Sequence, residues 1–152
     1  MAKKNELPAI LVDTREQTPF DFLGHPTKTE TLPFGDYSLE GFIRDICIER
    51  KSLPDLIACV GRERDRFEKE LLALRGYRFR AVIIEADLKE IFTGRWRGEI
   101  QPAHVLGSIN GWRAKLQIEF IYAGNPQLGA KECFTYLRKS HDYILDCTRR
   151  FL

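Results

Sequence analysis

Within a short stretch of this chain, Gly35-Asp36, Glu49-Arg50-Lys51 and Asp55 gather acids and an ammonium at spacings that a folded backbone can bring together. Asp36 and Glu49 become cross-strand neighbours if the chain turns back near Phe42. Lys51 lies two residues beyond Glu49, so an extended backbone puts both side chains on one face. Two converging carboxylates beside an ammonium suit one hard divalent ion, which takes a couple of carboxylate oxygens and keeps several waters. Water held this way is a better nucleophile, and the ion stabilises charge that develops on a phosphodiester oxygen. Lys51 would orient or deprotonate that water, or neutralise the pentacoordinate phosphate. The chemistry predicted is metal-assisted hydrolysis of a phosphodiester.

The surrounding pattern predicts the elements that must carry these residues. Ala9 to Val12 is an apolar run stopped by Asp13, which reads as a buried strand delivering a carboxylate. After a loop holding Pro19, Gly24 and Pro26, the pieces Thr29 to Leu32, Asp36 to Leu39 and Phe42 to Glu49 read as strands in antiparallel hairpins. Ser52 and Pro54 start a short helix that Gly61 interrupts. Phe67, Leu71 and Leu74 keep helical spacing through Arg62 to Arg75. Phe79 to Glu85 is a further buried strand, whose Glu85 suits a strand-end ion pair as well as a place in the site. Asp87 and Glu90 can form a capping box. A helix opening at Pro102, a strand through Ile118, Phe120 and Tyr122, a stop at Gly124-Asn125-Pro126, and an amphipathic helix from Gly129 to Arg149 complete the chain. The fold class is α/β, a mixed central β-sheet flanked by helices.

Composition bounds the rest. A length of 152 residues with 43% hydrophobic content fits one domain over 1–152. The 24 Lys and Arg against 22 Asp and Glu leave a net charge of +2, which excludes a uniformly basic nucleic-acid coat but allows a basic patch beside an acidic site. No apolar stretch approaches the roughly 18 residues of a membrane span. Lys3 and Lys4 precede an apolar segment broken by Pro8 and stopped by Asp13, too short for a signal-peptide core. A cytoplasmic location without membrane contact is expected. Cys47, Cys59, Cys133 and Cys147 form no metal-ligand spacing and read as reduced core thiols. His25, His104 and His141 likewise lack ligand spacing.

Val12-Asp13-Thr14-Arg15-Glu16, Leu32-Pro33-Phe34-Gly35-Asp36-Tyr37-Ser38-Leu39 and Ile48-Glu49-Arg50-Lys51-Ser52-Leu53-Pro54-Asp55 together resemble the nuclease domain of the XPF family. Its signature is GD, a variable gap, then ERKxxxD. The resemblance implies a restriction-endonuclease-like, PD-(D/E)xK core and a structure-specific DNA endonuclease of repair, recombination or replication that uses Mg²⁺ or Mn²⁺. It also implies metal ligation by Asp36 and Glu49, helped by the Arg50 carbonyl, with Lys51 as the catalytic lysine. Asp13 and Asp55 would complete the acidic site as outer groups or as ligands of another ion. Arg15, Glu16 and Arg50 would lie nearby. Relatives often carry helicase and helix-hairpin-helix modules for which 152 residues leave no room. Nuclease domains of the family also pair through C-terminal helices, and the apolar face of the Gly129 to Arg149 helix suits either such a homodimer or the internal core.

DNA contact is expected from Arg15, and from Arg62 and Arg66, where the family has a basic helix beside the cleft. It is also expected from Gly94-Arg95-Trp96-Arg97-Gly98, where an aromatic between two guanidinium groups suits phosphate contact with base stacking; the bland alternative is a Trp tucked against the core. The alternative function is a pseudo-nuclease that binds DNA or a partner without cutting. Family members without activity usually lack GD or ERK residues, and both are intact here.

Overall fold

The computed structural model describes residues 5–151; Lys3 and Lys4 lie outside them. In chain order the elements are β1 (Ile10–Asp13), β2 (Thr27–Glu30), β3 (Tyr37–Leu39), β4 (Ile46–Lys51), α1 (Leu53–Val60), α2 (Arg64–Leu74), β5 (Phe79–Ile84), α3 (Leu88–Thr93), α4 (Pro102–Leu116), β6 (Glu119–Tyr122) and α5 (Pro126–Arg150). The strands form one mixed sheet in the order β2-β1-β3-β4-β5-β6. β1–β3 and β3–β4 are antiparallel, and the remaining pairs are parallel.

Several sequence expectations change. The first strands do not all form antiparallel hairpins: β1 and β2 run parallel, with Ile10 opposite Thr27. The long connection between them lets the chain cross back before it pairs, which a tight turn could not do. β4 begins at Ile46, not Phe42, because the Phe42 amide donates to the Leu39 carbonyl at 2.9 Å and the Asp45 amide to the Phe42 carbonyl at 3.0 Å, which spends these residues on a turn. Asn125-Pro126 starts a helix as well as ending a strand. The Asn125 side chain accepts from the Leu128 amide at 2.8 Å and Pro126 needs no amide partner there, so α5 begins three residues earlier than expected.

The sheet separates two cores. On one face Leu56, Ile57, Phe67, Leu71, Val105, Ile109 and Trp112 from α1, α2 and α4 cover Cys47, Val82 and Ile84. On the other, Ala130, Cys133 and Leu137 of α5, with Phe20 and Phe22 of the loop after β1, cover Ile10, Val12, Tyr37, Ile46, Ile48 and Ile83. The apolar stripe of α5 is therefore largely spent on the sheet, leaving Leu128 and Tyr143 as its exposed large hydrophobic residues. Cys47, Cys59 and Cys133 are buried free thiols, whereas Cys147 is partly exposed and is not a core residue.

β4 is apolar on both faces where it crosses the middle of the sheet and polar only in its last three residues. The alternation that sends Ile46 and Ile48 towards α5 and Cys47 towards α1 and α2 continues through Glu49-Arg50-Lys51. Glu49 and Lys51 thus emerge on the α1/α2 face, and Arg50 on the α5 face.

Candidate active site

Gly35 brings Asp36 to β4. Its φ is +75°, and a Cβ there would collide with the Cys47 Sγ and meet the Ile48 carbonyl oxygen at 3.0 Å. Only glycine allows the loop to press this closely in this conformation. The close approach lets the Asp36 amide donate to the Ile48 carbonyl at 2.8 Å. The Asp36 carboxylate in turn accepts the Arg50 amide, also at 2.8 Å. Asp36 is thereby fixed to β4 on both sides of Glu49. On its other side the β1–β3 ladder continues, with the Asp13 amide donating to the Asp36 carbonyl at 2.9 Å.

Lys51 Nζ stands 3.1 Å from Glu49 Oε1 and 3.9 Å from Glu70 Oε2, and 5.2 Å from the centre of the Phe67 ring. Glu70, on α2, was not anticipated. The available signal was its position three residues after Phe67, on the flank of the buried stripe that faces the sheet. Burial pushes both the Asp36 and Glu49 carboxyls above the ordinary range. Neighbouring negative charge adds to this, chiefly Glu16 at Asp36 and Asp36 at Glu49, while Lys51 only partly offsets it. Burial opposes the charge on Lys51, but Glu49 and Glu70 outweigh it and hold the ammonium above its usual value.

Asp13 is held by Arg15 and by the backbone of Leu32. Arg15 Nε donates to its Oδ2 at 2.7 Å and Arg15 Nη2 to its Oδ1 at 3.2 Å. The Leu32 amide donates to Oδ1 at 2.9 Å and the Arg15 amide to Oδ2 at 3.1 Å. Burial would raise its pKa, yet these bonds together hold it below the usual carboxylate value. Both oxygens are committed to fixing the loop after β1 and the approach to Phe34-Gly35. Asp55 lies in the first turn of α1, its amide donating to Ser52 Oγ at 3.3 Å and its carboxylate exposed, with no ion pair among the described residues.

The Arg50 side chain turns to the opposite face. It donates to Glu85 Oε1 and to the Thr18 carbonyl, lies 3.5 Å from Glu16, and stacks 4.1 Å from the centre of the Phe20 ring. It clasps the loop after β1 to the end of the sheet, so the residue contributes to the site through its backbone. Glu85 forms the strand-end ion pair.

The arginines expected to meet DNA divide in two. Arg66 is paired with Glu63 at 3.0 Å and Glu70 at 3.7 Å, and Arg15 with Asp13. Arg62, Arg95 and Arg97 form no ion pair among the described residues. Trp96 is half-buried, its indole N–H donating to the Ile100 carbonyl at 2.9 Å, so it is a fixed wall and not a free wedge.

Among the described residues no three His, Cys, Asp or Glu side chains stand in a metal-holding arrangement. The donor chemistry at Asp36 and Glu49 nevertheless fits a hard cation. Both groups are oxygen donors, they repel each other in a poorly solvated position, and a single ammonium leaves them under-neutralised. An ion such as Mg²⁺ completes its shell with water, so two carboxylates suffice.

A mixed sheet with helices on both faces and an acid–acid–lysine group at the strand ends defines the restriction-endonuclease-like class. The ERCC4 domain profile matches residues 12–131, and the chain belongs to that family. Among solved structures it is similar to XPF from Aeropyrum pernix, with a TM-score of 0.72 and 22% identity, over 93% of this chain and 69% of that one. It is also similar to XPF from Aeropyrum pernix in complex with DNA, with a TM-score of 0.71 and 23% identity, over 89% of this chain and 66% of that one. The chain thus spans about two thirds of those chains' length. No curated protein matches it. The family supports a DNA endonuclease.

Proposed function

We propose that the protein is a divalent-metal-dependent DNA endonuclease that hydrolyses phosphodiester bonds with Mg²⁺ or Mn²⁺, acting on branched or partly single-stranded DNA in repair, recombination or replication. The observation that carries this reading is the pinning of Asp36 across Glu49 by the Ile48 carbonyl and the Arg50 amide, with Lys51 on the same face. Asp36 and Glu49 would hold the ion. When bound, it supplies a more acidic water and a positive charge for the phosphate. Lys51, flanked by Glu49 and Glu70, donates a hydrogen bond to the phosphate oxygen that gains charge. Asp13 and Arg15 keep the approach to the Gly35-Asp36 loop in place, the Arg50 amide holds the Asp36 carboxylate, and the Arg50 guanidinium fastens the loop after β1 on the far face.

No helix among the described residues is long and apolar enough to cross a membrane. Action on DNA in the cytoplasm belongs to the same proposal. A homodimer through α5 belongs to the same reading. It rests on Tyr143, 54% exposed on that helix, and light scattering over a concentration series tests it. The activity is tested by incubating the protein with labelled single strands, duplexes, flaps, splayed arms and four-way junctions, with Mg²⁺, Mn²⁺ or EDTA, beside Asp36→Ala and Lys51→Ala. Metal-dependent cutting that both substitutions abolish is the expected result. Binding without cutting by the unmodified protein would establish the pseudo-nuclease instead.

A further inference from the structure

Of the arginines expected to meet DNA, the three that form no ion pair among the described residues line one groove. Arg62 follows α1, and Arg95 and Arg97 come from the loop between α3 and α4; all three line a cavity of about 580 Å³. Leu53, Pro54, Ile57 and Ala58, along one side of α1, form its apolar floor, and Trp96 and Ile100 its wall. Glu99 is its single acidic lining residue. Gly61 allows the wall to close, since a Cβ there would meet Ile100 Cδ1 at 2.6 Å.

One end of the groove follows the active-site strand directly in the chain. Leu53 is two residues beyond Lys51, and the floor then follows α1 for about 12 Å, at 1.5 Å per residue, as far as Arg62. Neither an apolar floor nor an ordered indole helps to hold a duplex backbone, which presents phosphates and sugars outwards with its bases stacked inside. Unpaired nucleotides present both a charged backbone and an apolar base face, and single-strand sites combine a cationic groove with aromatic side chains in this way.

We propose that this groove seats a short unpaired stretch of the DNA strand leaving the active site, its bases on Leu53, Ala58 and Trp96 and its phosphates on Arg62, Arg95 and Arg97. The proposal rests on the endonuclease reading and adds what would aim it: the groove selects DNA in which a strand parts from its duplex next to the scissile bond.

The test titrates the Lys51→Ala protein with an oligothymidylate of about eight nucleotides, a length within the usual single-strand site sizes, and follows tryptophan emission. Trp112 is buried in the core, so quenching that disappears in a Trp96→Phe variant reports on the groove. Quenching is expected. Arg95→Glu with Arg97→Glu should weaken binding by about tenfold or more and lower the salt slope by about 1.4, the value for two phosphate contacts on a single strand. Ala58→Phe, which fills the floor without removing charge, should also weaken binding. In proteins that keep Lys51, both changes should reduce the ratio of flap to duplex cleavage.

Equal quenching by a duplex of the same length would overturn the proposal. So would an oligothymidylate affinity and a flap preference that survive both sets of changes. If DNA is cut with intact metal dependence while Trp96 emission does not respond, the groove assignment fails and the nuclease reading stands. If Trp96 responds and the arginine changes weaken binding but no DNA is cut, the nuclease reading fails and the groove stands.

Discussion

The Asp36 carboxylate accepts the backbone amide of Arg50 at 2.8 Å, so the residue that follows Glu49 positions the acid beside it. The middle residue of Glu-Arg-Lys therefore has two separate duties. Its amide belongs to the site, while its guanidinium fastens the loop after β1 on the far side of the sheet.

Arg50→Ala and Lys51→Ala should consequently differ in kind. Removing the Arg50 side chain leaves Glu85 and Glu16 without their cation in a half-buried position, and the loss should be about 3 kcal/mol. Arg50→Lys should recover little of it, because an ammonium cannot reproduce the guanidinium fork or its stacking on Phe20. Lys51→Ala should reduce turnover by about 100-fold or more with a far smaller change in stability. Denaturant melts and single-turnover cleavage measure the two; equal stability losses would contradict the division.

Gly35→Ala should abolish cutting and lower the melting temperature, because its Cβ meets the Cys47 Sγ and the Ile48 carbonyl at a positive φ. Adding Cys47→Ala removes the sulfur but neither the carbonyl contact nor the backbone strain, so it should not restore activity. Full rescue by that second change would show that side-chain crowding alone was responsible.

Asp36 and Glu49 set the pH dependence of the metal-free protein. Their folded pKa values lie above the unfolded ones, so the stability they contribute is fully present below the ordinary carboxylate pKa of about 4 and is lost as pH rises through the raised folded values. A divalent cation held by the two carboxylates would relieve that loss. Mg²⁺ should therefore raise the melting temperature more at pH 8 than at pH 5.5, and EDTA should reverse the effect. The difference should shrink sharply in Asp36→Asn, and a pH-independent shift would contradict the assignment.

Asp13 should behave in the opposite way. Held below its ordinary pKa by Arg15 and the Leu32 amide, it contributes stability present above the unfolded value and lost as pH falls through the folded one. Asp13→Ala should cost about 2 kcal/mol at neutral pH, since it leaves the buried Leu32 amide without its acceptor. The gap to the unmodified protein should narrow in acid, as urea melts across the pH range would show.

Much of this molecule was determined locally. The Asp87–Glu90 capping box, the Ser52 cap, the stop at Gly61 and the stripe of Phe67, Leu71 and Leu74 are set by bonds and spacings inside a few residues, and they lie where the sequence places them. The order Gly35-Asp36 then Glu49-Arg50-Lys51 likewise defines a candidate site, because strand alternation alone puts Glu49 and Lys51 on one face. The direction of β2 depended on how a long connection crosses the sheet, which no local preference encodes. The partners of each charge depended on which elements pack together. Helix α2 brought Glu70 to Lys51 and kept Arg66 occupied, Arg15 took both oxygens of Asp13, and the packing of α1 against the loop before α4 left Arg62, Arg95 and Arg97 around one apolar groove. Residue type and spacing determined which groups could act, whereas their neutralisation or availability is a property of three-dimensional distance, which only the tertiary structure decided.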